Sequence, residues 1–331
     1  MTSGSSPSSA ALGVTYALVG ALLFGINGSV SKVVVGAGIT PEQVTLIRSA
    51  ATAVIAGAWL LVFARHQLRV NARELASLAL LGVAGLAMIQ WLYTLAISLL
   101  PVGVALLFEY TAVVIVAVFA WLVWKEPVAR RLWLAIGAVL AGLAVVAQVW
   151  DSTLRPLGVL AALGAAVAYA FYFLAGERGV ARRPPLAVAF WASLFAATFW
   201  AVGARWWVID PHAFAADVDL GGALAGNELP LWMLVLWVAT LGAFAPFVLS
   251  FAALKHLSAT AVGILASAEV LFAFAVAWLW LGESLAPVQI AGAAVVFAGI
   301  VIAQTVRSRR AGQAQAPVAV AGDTPLTPGR D

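Results

Sequence analysis

The chain is 331 residues long, 64% apolar and only 10% charged, where soluble proteins run roughly 45–50% apolar and 25% charged. A soluble fold of this length has too little interior to hide so many apolar side chains, which excludes a soluble enzyme, a nucleic-acid binder and a disordered regulator. The mean hydropathy of +1.03 and the 14 Trp fit a chain that crosses a bilayer repeatedly, with Trp at the interfaces.

The net charge of +4 does not point to nucleic acid, because Lys and Arg sit in short segments between apolar runs, where they act as topology signals. The absence of Cys removes disulfides, thiolate metal sites and Cys nucleophiles together. His66, His212 and His256 fall in or beside predicted loops and show no metal-binding spacing, so neither a metal nor another cofactor is expected.

A run of about 20 apolar residues crosses a bilayer as a helix. Ten runs qualify, at 11–31, 44–64, 75–99, 102–124, 132–150, 156–176, 185–208, 230–254, 257–281 and 286–306. They lack the alternation of a membrane barrel, and open strands cannot satisfy their backbone in lipid. The fold class predicted is therefore an all-α polytopic membrane protein with ten transmembrane helices. The first run has no basic segment before it and reads as a span rather than a signal peptide. The ends, residues 1–10 and 307–331, are rich in Ser, Pro, Gly and Ala and read as disordered cytoplasmic tails.

Charge sets the orientation. With the N-terminus in the cytoplasm, fourteen of the 18 basic residues lie on the cytoplasmic side: Arg65, Arg69, Arg73, Lys125, Arg130, Arg131, Arg178, Arg182, Arg183, Lys255, Arg307, Arg309, Arg310 and Arg330. Lys32, Arg155 and Arg205 face outward, and Arg48 lies inside the second run. That bias predicts both termini in the cytoplasm and a multi-pass protein of the plasma membrane. Asp210, Asp217, Asp219 and Glu228 share the long outside loop after the seventh run, which reads as a solvated insertion.

The two halves resemble each other. A shift of 157 positions lays Trp121-Leu-Val-Trp-Lys-Glu126 on Trp278-Leu-Trp-Leu-Gly-Glu283, and Gly142 on Gly299. Leu12-Gly-Val14 matches Leu157-Gly-Val159 at a shift of 145. Residues 11–150 and 151–306 are thus read as two five-helix repeats. An odd number of spans turns the second copy the other way up, the inverted arrangement of secondary transporters, whose substrate site lies near mid-membrane between the copies.

Pro101-Val-Gly-Val-Ala-Leu-Leu-Phe-Glu109-Tyr resembles the fourth-helix motif of the threonine/homoserine exporter group, in the EamA family of the drug/metabolite transporter superfamily. Leu265-Ala-Ser-Ala-Glu269, with Leu281-Gly-Glu283 after it, resembles the ninth and tenth helices of that group. Tyr110-Thr-Ala stands where the motif continues Phe-x-Gly-Pro, and Val270 where it has Pro. The resemblance spans residues 11–306. It implies ten helices, both ends inside, alternating access, export driven by an ion or proton gradient, and fifth and tenth helices packed outside the central cavity.

Apart from Arg205 at the outer end of its run, Arg48, Glu109 and Glu269 are the charged residues inside the runs. A charge at the bilayer centre costs about 2.5–3.5 kcal/mol on insertion scales, so each must face the bundle interior or water and find a partner. Arg48 reads either as an anchor snorkelling to the outer headgroups or, at a depth within about 5 Å of Glu109 by helical rise, as its ion-pair partner. Thr45 and Thr52 share its face. Two buried acids face one base, which leaves Glu269 to alternate between a proton and a substrate ammonium group.

Helical periodicity adds a lining: Tyr16, Gly20, Asn27 and Ser31 on the first helix, Gln90, Tyr93 and Thr94 on the third, and Tyr169, Tyr172 and Phe173 on the sixth. Such aromatic and polar stripes suit a cationic or amphipathic organic solute, or ordinary helix packing. Pro246 should kink the eighth helix and is the candidate gate. Glu126 and Glu283, at equivalent helix ends, read as turn or cap residues.

The expected function is a secondary exporter of small metabolites, amino acids or related amines first. A broad-specificity exporter of lipophilic cationic drugs is the second reading, and a membrane receptor or scaffold the third. No nucleotide-binding Gly-x-x-x-x-Gly-Lys-Ser/Thr occurs, so a gradient should supply the drive. The expected partners are a small-molecule substrate and the lipid bilayer, without nucleic acid, in a monomer or homodimer.

Overall fold

The computed structural model describes residues 7–123, 130–146, 154–180, 183–254, 256 and 265–314, and they are overwhelmingly helical. Glu126, Lys125 and the tail beyond Ala314 lie outside the described residues. The first half runs α1 (Pro7–Gly36), α2 (Pro41–Phe63), α3 (Ala72–Leu80), a π-helical turn (Leu81–Ala87), α4 (Met88–Leu99), α5 (Val102–Glu109), α6 (Ala112–Val123) and α7 (Arg130–Val146). The second runs α8 (Pro156–Val180), α9 (Pro185–Gly203), a loop with strands β1 (Asp217–Asp219) and β2 (Glu228–Pro230), α10 (Leu231–Ala239), a second π turn (Thr240–Phe244), α11 (Ala245–Leu254), α12 (Ala268–Leu281) and α13 (Pro287–Ala314).

Among the described residues, Ala11–Gly36, Pro41–Phe63, Ala72–Leu99, Val102–Val123 and Pro185–Gly203 are long and apolar enough to cross a membrane. Trp133–Val146, Pro156–Tyr172, Leu231–Phe244, Ala268–Leu281 and Pro287–Ile302 are shorter apolar helices. Helix reaches into both predicted tails, since α1 begins at Pro7 and α13 ends at Ala314. Pro suits a first helical position, and the Arg, Ala and Gln of residues 307–314 are good helix formers, which low-complexity composition alone does not register.

Local chemistry sets the starts. Thr40 and Gln43 cap α2 reciprocally, each side chain accepting from the other's backbone N–H, with Pro41 next in the chain. Asn71 Oδ1 accepts from Glu74 N and starts α3. Arg183, whose charge also counts toward topology, is an ion-pair partner of Glu74 and donates to Gln67 O at 2.8 Å, tying the α8–α9 connection to the segment after α2.

The helices pack across the two halves. α1 lies along α11 and α12, and α8 along α4, α5 and α6; α2 lies along α9, and α7 along α13. Exchanging the halves turns each of these contacts, the α8–α5 one apart, into another of them or into itself. Glycines permit the close approaches: a Cβ on Gly142 would stand 2.8 Å from Gly292 O, and one on Gly299 2.9 Å from Ala135 O. The matched glycines Gly142 and Gly299 thus both serve the α7–α13 contact.

Two irregularities recur in both halves. α3 and α10 each run nine residues before a π turn. At the end of the first π turn, Ala87 O accepts from Trp200 Nε1 at 3.4 Å. In the second half the turn just precedes Pro246, whose ring needs room beside the carbonyl of Gly242; widening the helix there provides it. Further on, α5 stops at Glu109 and α6 starts at Ala112 after a turn at Tyr110–Thr111, where Thr111 Oγ1 donates to Phe108 O at 2.6 Å. The turn at Ser267 before α12 is its counterpart, since the 157-residue shift lays Tyr110 on Ser267.

The acidic loop is not loosely solvated. β1 and β2 pair antiparallel, Val218 opposite Leu229, and Trp280 Nε1 donates to Leu220 O at 2.9 Å. Asp219 accepts from Gly221 N at 2.7 Å and Gly226 N at 3.0 Å, and these backbone hydrogen bonds hold its carboxyl below the ordinary carboxylate range. A depressed carboxyl favours the folded loop above its unfolded value of about 3.9 and loses that effect as pH falls through the folded value. Hydrogen exchange should therefore find the Gly221 and Gly226 amides protected at neutral pH and unprotected in strong acid. Equal protection at both would refute this.

Candidate transport site

The helix breaks and π turns meet around one buried cavity of about 220 Å³. Its lining brings together Asn27 of α1, Arg48 of α2, Gln90 and Tyr93 of α4, Glu109 of α5, Tyr169 and Tyr172 of α8, and Glu269 of α12. Phe24, Leu86, Ile89, Leu106, Tyr110 and Ala243 complete it. Leu86 belongs to the first π turn and Ala243 to the second, so both irregular turns border the same space.

The two carboxylates sit beside the two helix breaks. Glu109 ends α5 and is 6% exposed. Glu269 occupies the first turn of α12, and its Oε2 accepts from Tyr110 Oη at 2.7 Å. Tyr110 also meets Tyr169 edge to face, ring centroids 6.3 Å apart. Four of the chain's five tyrosines line this cavity. Tyr110 is missing from the lining expected from periodicity, because in the sequence it stands out only as a departure from a motif. Its position beside Glu109 is the signal that could have found it.

Arg48 does not snorkel. It is 7% exposed and borders the cavity within electrostatic reach of Tyr93, Glu109 and Glu269. Nor, among the described residues, does an ion pair join it to Glu109, the other alternative, or to Glu269. Its polar neighbours are engaged elsewhere. Thr45 Oγ1 donates to Pro41 O at 2.8 Å and Thr52 Oγ1 to Arg48 O at 2.9 Å, both on α2's own backbone.

Asn27 is 2% exposed, and its Oδ1 accepts from Ser31 Oγ at 3.4 Å. Gly242 of the second π turn lies so close that a Cβ there would stand 2.1 Å from Asn27 Oδ1. Thr94 Oγ1 donates to Gln90 O at 2.7 Å, so its hydroxyl serves α4.

Two predicted members fall elsewhere. Tyr16 packs near Ala17, Ala253 and Leu265 and against the His256 ring at 6.0 Å, away from the cavity. It shares a helical stripe with Asn27, but eleven residues separate them, about 16 Å of helical rise. Periodicity fixes direction around a helix and leaves depth free. Pro246 is buried behind the second π turn and is not part of the lining. The side chain of Phe173 lies outside the described residues.

Glu283 is a cap, though of another helix than its own. Its Oε2 accepts from Val102 N at 2.7 Å, at the start of α5, while Oε1 pairs with Lys32 Nζ at 2.5 Å. Lys32 also donates to Leu100 O at 2.8 Å. One carboxylate thereby holds α1, α5 and the end of α12 together. Among the described residues, neither α7 nor α13 contributes to the cavity.

A helical membrane protein folded around a buried, charged cavity has the architecture of a solute carrier. A model of the EamA-like transporter family matches residues 11–148 and again 156–305. The chain belongs to that family. It is 30% identical over 219 residues to the threonine/homoserine exporter RhtA of Escherichia coli (strain K12), covering 63% of this chain and 64% of that one. Its identity to RhtA of Salmonella typhimurium (strain LT2) is also 30%, over 213 residues with the same shares. The match thus spans less than two thirds of the length of these relatives. A solved crystal structure 20% identical superposes with a TM-score of 0.58 over 92% of this chain and 99% of its own, which bears on the fold alone.

Proposed function

We propose that the protein is a secondary exporter of small metabolites, with amino acids or related amines as first candidates, working by alternating access and coupled to protons. The observation that carries this reading is the placing of Glu109 and Glu269, one from each matched half, beside helix breaks on a single cavity. Discontinuous helices around a midplane site are how carriers present backbone and charge to a solute without exposing either to lipid. The exchangeable contacts of the two halves support ten spans in two inverted five-helix repeats, 11–150 and 151–306. The charge bias supports cytoplasmic termini in the plasma membrane. Protons are the proposed coupling ion because two carboxylates share the cavity with a single guanidinium.

Four tyrosines and two carboxylates also favour a second reading, export of lipophilic cations, through cation–π contact. Size weighs against it. About 220 Å³ lies below the roughly 300–1,000 Å³ of sites for drug-sized ligands. Purified protein in proteoliposomes loaded with labelled L-threonine, L-homoserine or a cationic dye separates the readings. Amino-acid efflux accelerated by an opposing proton gradient is expected, with the dye retained. Dye efflux alone would install the second reading, and no flux of any solute would overturn both.

A further inference from the structure

Arg48 is an unusual buried residue. Among the described residues its Nε and Nη1 are buried without a hydrogen-bond partner, although the side chain borders the cavity. Buried donors are nearly always satisfied, and a guanidinium remains charged at any working pH. The nearby threonine hydroxyls are committed to α2's backbone, and neither glutamate is paired with it. Gln90 Oε1, on the same cavity, is likewise buried and unpartnered. Opposite charge stands close by: Glu109, and Glu269 with one oxygen on Tyr110.

The cavity therefore has two unlike ends. A guanidinium fork matches the two oxygens of a carboxylate. Two glutamates, with Gln90 Oε1, accept from an ammonium group. An amine or a lipophilic cation engages only the second end and leaves the guanidinium buried and unsatisfied. A zwitterion engages both and adds no net charge to a low-dielectric interior, and the cavity volume suits one small molecule.

We propose that Arg48 is the carboxylate anchor of the transport site, and that the cargo is a free zwitterionic α-amino acid rather than the corresponding amine. The assignment rests on the exporter reading and narrows it. Nε and Nη1 are closed off from the cavity in this conformation, so the carboxylate takes them up as the guanidinium turns inward. Gln90 is the companion residue on the ammonium side.

The test compares L-threonine, its methyl ester and 1-aminopropan-2-ol, its decarboxylated analogue, in proteoliposome counterflow. Wild-type protein should prefer the free amino acid to either analogue by about 10⁴-fold, because a site built for a polar group rejects analogues lacking it. Arg48→Gln should lose most amino-acid flux and keep or gain amine flux. Arg48→Lys should restore it only in part, since an ammonium is not a fork. Wild-type flux of ester or amine equal to that of the amino acid overturns the proposal, and this arm needs no variant to fold. So does an equal fall of amino-acid and amine flux in a folded Arg48→Gln protein. Flux of amines without amino acids sinks the anchor but leaves the exporter reading standing; no flux of any of the three sinks both.

Discussion

Glu269→Gln is expected to remove pH-dependent efflux while leaving the protein folded. The substitution keeps the volume and an oxygen able to accept from Tyr110 Oη. It removes the exchangeable proton and the negative charge. A hydrogen bond to a charged partner contributes about 1.5–3 kcal/mol, so substrate affinity should fall about 10–100-fold by the tenfold-per-1.4 kcal/mol relation. The decisive readout is efflux with and without an imposed proton gradient. The variant should respond equally in both, whereas Tyr110→Phe, which removes only a neutral donor, should retain the gradient response. A Glu269→Gln protein with full pH-dependent efflux would end the coupling proposal. Glu109→Gln should weaken transport too, because Glu109 opens on the same cavity from the other half.

Gly25→Val should damage stability and transport together. A Cβ at Gly25 would stand 2.7 Å from Phe272 Cβ, 2.9 Å from Ala273 N and 3.1 Å from Phe272 C. Two of those atoms are backbone and cannot swing away, so α1 and α12 must separate. Overpacking of this kind costs typically about 1–3 kcal/mol. Glu269 lies about one turn earlier on α12, so the displacement reaches the cavity. A misplacement of about 1 Å in a constrained site can cost on the order of 100-fold in rate. Thermal unfolding in detergent and proteoliposome flux read the two effects. Gly36→Ala is the control, because nothing lies within 4 Å of a Cβ there, and it should change stability by less than about 0.5 kcal/mol. Equal unfolding temperatures for both variants would refute the close-contact argument.

The candidate site is partly legible in the amino-acid sequence. Arg48, Glu109 and Glu269 stand out because charge in an apolar run is costly wherever the helix goes, and that cost is a property of residue type. Asn27, Gln90, Tyr93, Tyr169 and Tyr172 follow from helical periodicity. Tyr16 shows the limit of that reasoning, since an angular stripe says nothing of depth. Tyr110 shows another, because its contact with Glu269 joins residues far apart in sequence. The breaks at Tyr110–Thr111 and Ser267 carry no Gly or Pro, the usual punctuation of a helix. Pro246 does announce an irregularity, but its form, a π turn upstream, depends on neighbours such as Asn27 pressing against Gly242.

By itself the amino-acid order determined that this chain is helical and membrane-bound, where its apolar runs lie, and which few charges must be sheltered, because hydrophobic transfer and the cost of burying charge are local and additive along the chain. Only the tertiary structure decided which helices face one another, that the two glutamates share a cavity, and that Arg48 Nε and Nη1 have no partner among the described residues, because hydrogen bonding and close packing depend on distances between residues remote in sequence.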